Sequence, residues 1–200
     1  MGFLLYAIII LKMKAIGIVT GPRKGQVTDR LTESALDGLR DRGASTEKIY
    51  FMDLTIKPCR GCSACQRTGR CIIEDDFNAV ADKIRDADIV VFSSPTYFSN
   101  VTSCAKRFFD RGYSMFKEFR FGPVYPSKKP GKVILITSCH APFPFSHLLG
   151  IVTGSVRAMK AFFNYMHVRI KTLTATGAAD FDAKKHAKLL ERAYNLGKTI

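Results

Sequence analysis

Apolar residues along this chain fall into short dense runs separated by stretches in which they return every three or four positions. The dense runs, at 15–20, 48–52, 89–93, 133–137 and 168–173, have the length and composition of parallel strands covered on both faces. Between them the spacing is helical. The stretch 28–42 places Leu31, Ala35, Leu36 and Leu39 on one side and stops at Gly43, a residue suited to the left-handed turn that closes a helix. The stretch 77–86 keeps Val80, Ala81 and Ile84 together and follows Asp75 and Asp76, whose charges favour a helix N-terminus. Further helices are predicted at 101–117, 146–163 and 180–198. Five strands alternating with five helices predict a doubly wound α/β sheet, in which ligands bind at the loops that follow the strands. Those loops begin near Thr20, Leu54, Ser94 and Ser138.

The 200 residues, 46% of them hydrophobic, suffice for one globular domain with a sizeable core, and no repeat or linker-like stretch divides them. The expected organisation is a domain over 13–200 preceded by an apolar extension over 1–12. The run GFLLYAIIIL at 2–11 is short of the roughly twenty residues that span a bilayer, so no stable membrane insertion is expected. Its positive charges follow it and no small-residue cleavage site comes next, which makes it a poor secretory signal. An appended segment and a weak membrane contact are its two readings. Thirty-one Lys and Arg against seventeen Asp and Glu give a net charge of +14, spread from Lys12 to Lys198. Such a surface suits nucleic acid, an anionic membrane, an acidic protein or a phosphorylated cofactor, and selects none of them.

Six cysteines point to a reducing, cytoplasmic setting in which clustered thiols serve metals or redox chemistry rather than structural disulfides. Cys104 and Cys139 stand apart and read as small buried hydrophobes. Cys59, Cys62, Cys65 and Cys71 form the pattern C-x2-C-x2-C-x5-C in a loop, 58–71, after the second strand. Three thiols on one tight turn with a fourth close behind suit a 4Fe-4S cluster. A four-cysteine zinc site, which more often uses two separated knuckles, and a metal-free redox loop are the alternatives.

The other strand ends carry different chemistry. Thr20-Gly21-Pro22-Arg23-Lys24-Gly25-Gln26-Val27-Thr28 joins glycines, hydroxyls and cations to a helix start, a setting for one phosphate. Neither a Walker loop nor G-x-G-x-x-G is present there. Ser94-Pro95-Thr96-Tyr97-Phe98-Ser99-Asn100 could clasp a planar ring, although an ordinary turn with aromatic edges has the same composition. Ser138-Cys139-His140, followed by Phe143 and Phe145, offers a hydroxyl, aromatics and one histidine, which alone is more often structural than catalytic.

With these loops in place the chain resembles the flavodoxin-like NAD(P)H-dependent FMN reductases, and among them the iron–sulfur flavoproteins, over nearly all of 13–200. The resemblance is carried by Gly21-Pro22-Arg23-Lys24, by the cysteine run from Pro58 to Cys71 with Asp75-Asp76 behind it, by Ser94-Pro95-Thr96-Tyr97, and by Asp110-Arg111. It implies a flavodoxin-like five-stranded parallel sheet in three α/β/α layers. FMN phosphate would then meet Arg23, Gln26, Val27 and Thr28, and the isoalloxazine would meet Pro95, Thr96, Tyr97, Phe98 and Asn100. Ser138 and His140 are the candidates from the fourth loop. Where the family usually has Ser this chain has Gly21, and Thr20 is the candidate to supply the missing hydroxyl.

The activity so implied is electron transfer with the redox chemistry left to the flavin and no catalytic acid or base assigned to the protein. Expected donors are ferredoxin or NAD(P)H, and expected acceptors are small molecules such as a quinone or an oxygen species. A cluster-free NAD(P)H:FMN or quinone reductase is the alternative, and relatives imply a homodimer or homotetramer. A non-catalytic, zinc-stabilised basic module binding nucleic acid fits less well, because aromatics are not interleaved with basic residues on one sheet face.

Overall fold

The computed structural model describes residues 12–116 and 130–200. The 1–12 extension, apart from Lys12, and Lys117, the expected end of the fourth helix, lie outside the described residues. Five parallel strands, β1 Lys14–Val19, β2 Ser45–Tyr50, β3 Ile89–Pro95, β4 Lys132–Ser138 and β5 Arg169–Ala175, form one sheet in the order β2-β1-β3-β4-β5. The helices are α1 Val27–Arg40, α2 Ala64–Thr68, α3 Phe77–Asp86, α4 Ser103–Arg111, α5 Phe145–Leu148, α6 Ile151–Asn164 and α7 Ala187–Thr199.

Alternation along the inner strands builds both cores. Ile16 and Ile18 of β1, Val90 and Phe92 of β3, and Val133 and Leu135 of β4 pack with Phe77, Phe108 and Phe163 from α3, α4 and α6. Their neighbours Ala15, Ile89, Val91, Ile134 and Ile136 face Leu31, Leu36 and Leu39 of α1 and Ala193 of α7. Every side chain of Ile89–Ser94 and Val133–Ser138 is buried, which is why those runs are dense in apolar residues. The edge strands are polar on one side, so β2 starts three residues before the expected 48 and β5 runs to Ala175.

Three expected helices differ in extent. The stretch 146–163 is broken into α5 and α6 at Gly150, whose φ of +68° leaves the right-handed helix. The one expected at 101–117 starts at a Thr102 cap and becomes a 3-10 turn over Gly112–Met115. The last begins at Ala187 because Asp180 and Phe181 are tied to the loop after β1 instead: Arg23 pairs with Asp180, and the Phe181 N–H donates to Gln26 Oε1 at 2.8 Å.

The order of strands reverses direction between β1 and β3, since the chain goes from β1 outward to β2 and then back across to β3. A crevice opens at that switch, at the carboxyl ends of the strands.

Candidate functional site

A cavity of about 260 Å³ occupies the crevice, walled by Gly21, Pro22, Arg23, Gln26, Val27, Thr28, Pro95, Thr96, Tyr97, Ser138, Cys139, His140, Ala178, Ala179 and Asp180. The loops after β1, β3 and β4 thus meet as expected, and the segment after β5 supplies a further wall through Ala178, Ala179 and Asp180, of which Asp180 is the expected first residue of the last helix. Gln26 starts α1 without a side-chain cap, which leaves the first N–H groups of that helix facing the cavity end. A Cβ on Gly21 would lie 3.1 Å from Thr28 Oγ1 and 3.2 Å from Pro95 Cδ, so the glycine keeps the floor open between the first and third loops.

Asp29, which sequence reasoning missed, braces the phosphate-type loop from beneath. Its side chain is 6% exposed and accepts from Gly25 N–H at 2.6 Å, Lys48 Nζ at 2.9 Å and Tyr50 hydroxyl at 3.1 Å. Burial alone would raise its pKa. The Gly25 and Lys48 contacts, joined by Tyr50, hold it below the ordinary carboxylate value instead. An acidic residue in the first turn of a helix that faces the core was the available signal.

The third loop is anchored at both ends. Thr96 donates its N–H to the Ser138 carbonyl at 2.8 Å, and its hydroxyl bonds Thr137 at 3.1 Å and Ser155 at 3.0 Å. Tyr97 and Asn100 exchange backbone hydrogen bonds around Phe98 and Ser99, whose φ values are +47° and +57°. Positive φ at both central residues costs about 1–2 kcal/mol each for non-glycine residues. Gly154 of α6 supports this turn, since a Cβ there would come within 1.8 Å of the Ser99 carbonyl oxygen.

Three expected site residues do not line the cavity. Thr20 is fully buried, and its hydroxyl donates to the Ser93 carbonyl at 3.0 Å, so it ties β1 to β3 rather than replacing a family serine. Phe98 points fully into solvent at the tip of its turn, and Asn100 uses its Oδ1 to accept from Val101 N–H. Cys139, read as a buried hydrophobe, is buried and also lines the cavity, where burial pushes its thiol up. Cys104 is only partly buried; Arg107 Nη2 lies 3.4 Å from its sulfur and Met52 sulfur 3.5 Å.

The cysteine loop follows β2. Its neck is closed by Arg111 and Asp75, whose side chains are 0% and 1% exposed. Asp75 also accepts from the N–H groups of Lys57 and Phe77, and Arg111 donates to the Lys57 and Ile73 carbonyls at 3.2 and 3.1 Å. Asp76 accepts from Thr55 N–H at 2.7 Å. The acidic pair therefore serves both the neck and the start of α3, where Asp76 is the N-cap and Asp75 accepts from the first N–H. Beyond the neck, Asn78 bonds both backbone groups of Cys71.

Cys59 and Cys62 are exposed, and Cys65 and Cys71 half-buried. Gly61 N–H points at Cys59 Sγ at 3.5 Å. Burial and the neighbouring Cys71, Cys59 and Cys62 push the Cys65 thiol up, which places all four in one electrostatic neighbourhood. The donor set, all sulfur, has the chemistry for iron or zinc. Among the described residues no three His, Cys, Asp or Glu side chains gather as a group able to hold a metal ion.

A family model for NADPH-dependent FMN reductases matches residues 13–139. This chain belongs to that family. It is 30% identical to an iron–sulfur flavoprotein of Methanocaldococcus jannaschii over 94% of this chain and 95% of that protein. It is 34% identical to an iron–sulfur flavoprotein of Methanosarcina thermophila, over 50% of this chain and only 52% of that protein. Among solved structures, an NAD(P)H:quinone oxidoreductase from Methanothermobacter marburgensis superposes with a TM-score of 0.74 over 94% of this chain and 96% of that one, at 16% identity. An FMN-dependent NADH-azoreductase of Bacillus anthracis, in complex with FMN, gives 0.67 over 92% and 96% at 17% identity. The fold is flavodoxin-like, and the protein is an FMN-dependent oxidoreductase of the iron–sulfur flavoprotein group, which sets aside the non-catalytic binding module. Among the described residues no helix is long and apolar enough to cross a membrane.

Proposed function

We propose that FMN lies in the crevice with its phosphate at Arg23, Gln26, Val27 and Thr28, its ring against Pro95, Thr96 and Tyr97, and Ser138 and His140 at the ring edge. The observation that carries this reading is the uncapped start of α1 meeting Arg23 at one end of a cavity formed at the strand-order switch. The residues fit a mononucleotide: the cavity has a cation, free helix N–H groups and a floor that any side chain at position 21 would crowd. Bound FMN takes and gives one or two electrons. The chain binds and orients it. Asp180, the only carboxylate lining the cavity among the described residues, is engaged by Arg23.

Electrons pass, in this reading, from ferredoxin or NAD(P)H to a small acceptor such as a quinone or an oxygen species, in a cytoplasmic homodimer or homotetramer. The unit is the single domain over 13–200. Cys59, Cys62, Cys65 and Cys71 are, in this reading, the ligands of a 4Fe-4S cluster; the spacing and the names of the relatives support this. Anaerobic purification with flavin, iron and acid-labile sulfide analysis tests both halves. Flavin with sulfide is expected, flavin without sulfide selects the cluster-free NAD(P)H:FMN or quinone reductase, and absence of flavin affinity overturns the site.

A further inference from the structure

Arg23 is the one Lys or Arg lining the cavity among the described residues, and its guanidinium is already engaged. Nη1 donates to Asp180 Oδ1 at 2.7 Å and Nη2 to the Ala179 carbonyl at 2.9 Å. Both partners sit on the wall that follows β5, opposite the start of α1. The ion pair is well exposed, with 59% of the arginine and 73% of the aspartate side chain open to solvent, so water and salt weaken it and another anion can take its place. A second tie between the same loops, from Phe181 N–H to Gln26 Oε1 at 2.8 Å, carries no charge and survives such an exchange.

We propose that Asp180 is a built-in competitor for the phosphate subsite: in the empty protein it occupies the place on Arg23 that the FMN phosphate takes, and so sets how strongly the site selects a phosphorylated flavin. This rests on the FMN reading given above. A phosphate brings close to two negative charges and several acceptor oxygens, and the N–H groups opening α1 add to its hold, whereas the aspartate brings one charge and meets the arginine alone. Phosphate therefore displaces the carboxylate. The displaced Asp180 then stands as a like charge beside the ligand and lowers its affinity. A flavin without phosphate leaves the Arg23–Asp180 pair intact and gains nothing from the arginine.

The test is titration of flavin-free protein with FMN and with riboflavin, followed by flavin fluorescence. Asp180→Asn is expected to tighten FMN about three- to tenfold, the scale of removing one screened charge close to a dianion, and to leave riboflavin unchanged. Raising the salt concentration is expected to shrink that gain. In an Arg23→Gln background, Asp180→Asn should lose its effect on FMN. Unchanged or weaker FMN binding by Asp180→Asn, with wild type still preferring FMN over riboflavin, overturns the competitor and leaves the phosphate subsite standing. Equal wild-type affinity for the two flavins overturns the subsite and the competitor together.

Discussion

Arg111 and Asp75 form an ion pair hidden from water, joined across 36 residues of sequence, at the base of the cysteine loop. A buried pair of this kind adds little over apolar residues of the same size, but removing one partner strands the other, at about 3–5 kcal/mol. Here the pair also holds the carbonyls of Lys57 and Ile73. Arg111→Met is therefore expected to lower unfolding stability by about that amount and to make the loop more open to trypsin, which would be read by urea denaturation and mass spectrometry. Unchanged stability and cleavage would show that the neck is held by other contacts.

The same pair predicts a pH dependence. Burial raises the Asp75 carboxyl, but the Arg111 guanidinium and the N–H groups of Lys57 and Phe77 more than offset this and hold it below its ordinary value. Because the folded value lies under the unfolded one of about 4, its contribution is full above that pH and is lost as the pH falls through the folded value. Asp75→Asn is expected to be less stable near neutrality and to show a shallower loss of stability in acid. Parallel acid curves for the two proteins would contradict it.

Gly21→Ala would crowd Thr28 and Pro95 by adding a methyl group 3.1 and 3.2 Å from their atoms. Overpacking of this sort costs about 1–3 kcal/mol, here paid at the cavity floor. Weaker FMN binding with the circular dichroism spectrum preserved is the expected result, and wild-type affinity would place the phosphate elsewhere.

Replacing any one of Cys59, Cys62, Cys65 and Cys71 by Ala is expected to lower iron and sulfide in anaerobically prepared protein while leaving FMN bound, because the two groups use different loops. Loss of FMN in step with iron would couple the sites.

Docking of an acidic carrier is expected to depend on Arg60 and Arg67. Arg70, on the same loop, is already paired with Asp82 through two bonds of 3.0 and 2.9 Å. Opposite charges speed encounter in a salt-dependent way. Flavin reduction by reduced ferredoxin should slow with salt and with Arg60→Gln plus Arg67→Gln. A rate indifferent to both would favour NAD(P)H as donor.

Strands β1, β3 and β4 were legible because burial on both faces leaves an unbroken apolar run, whereas β2 and β5, each with an open side, blurred at their ends. The loops after the first, third and fourth strands were legible for the same reason: topology puts them together once the strands are known. Asp180 was not, because an acidic start looks like a helix N-terminus and only the partner across the cavity, Arg23, reveals its use. Arg111 was legible only within the Asp110-Arg111 pair that supports the family resemblance; its buried partner Asp75, 36 residues away, was not. The spacing of the cysteines showed that four thiols share one loop, but not that Cys59 and Cys62 are exposed while Cys65 and Cys71 are half-buried.

Because β2 is an outermost strand, the cysteine loop hangs from the margin of the sheet, whereas the cavity is framed by the loops that follow β1, β3, β4 and β5. A margin tolerates growth and loss that a centre does not. No residue of the cysteine loop beyond the Arg111–Asp75 neck takes part in the strand pairing of the sheet. The sheet is in this sense a chassis, and the cysteine loop is an attachment carried at its border.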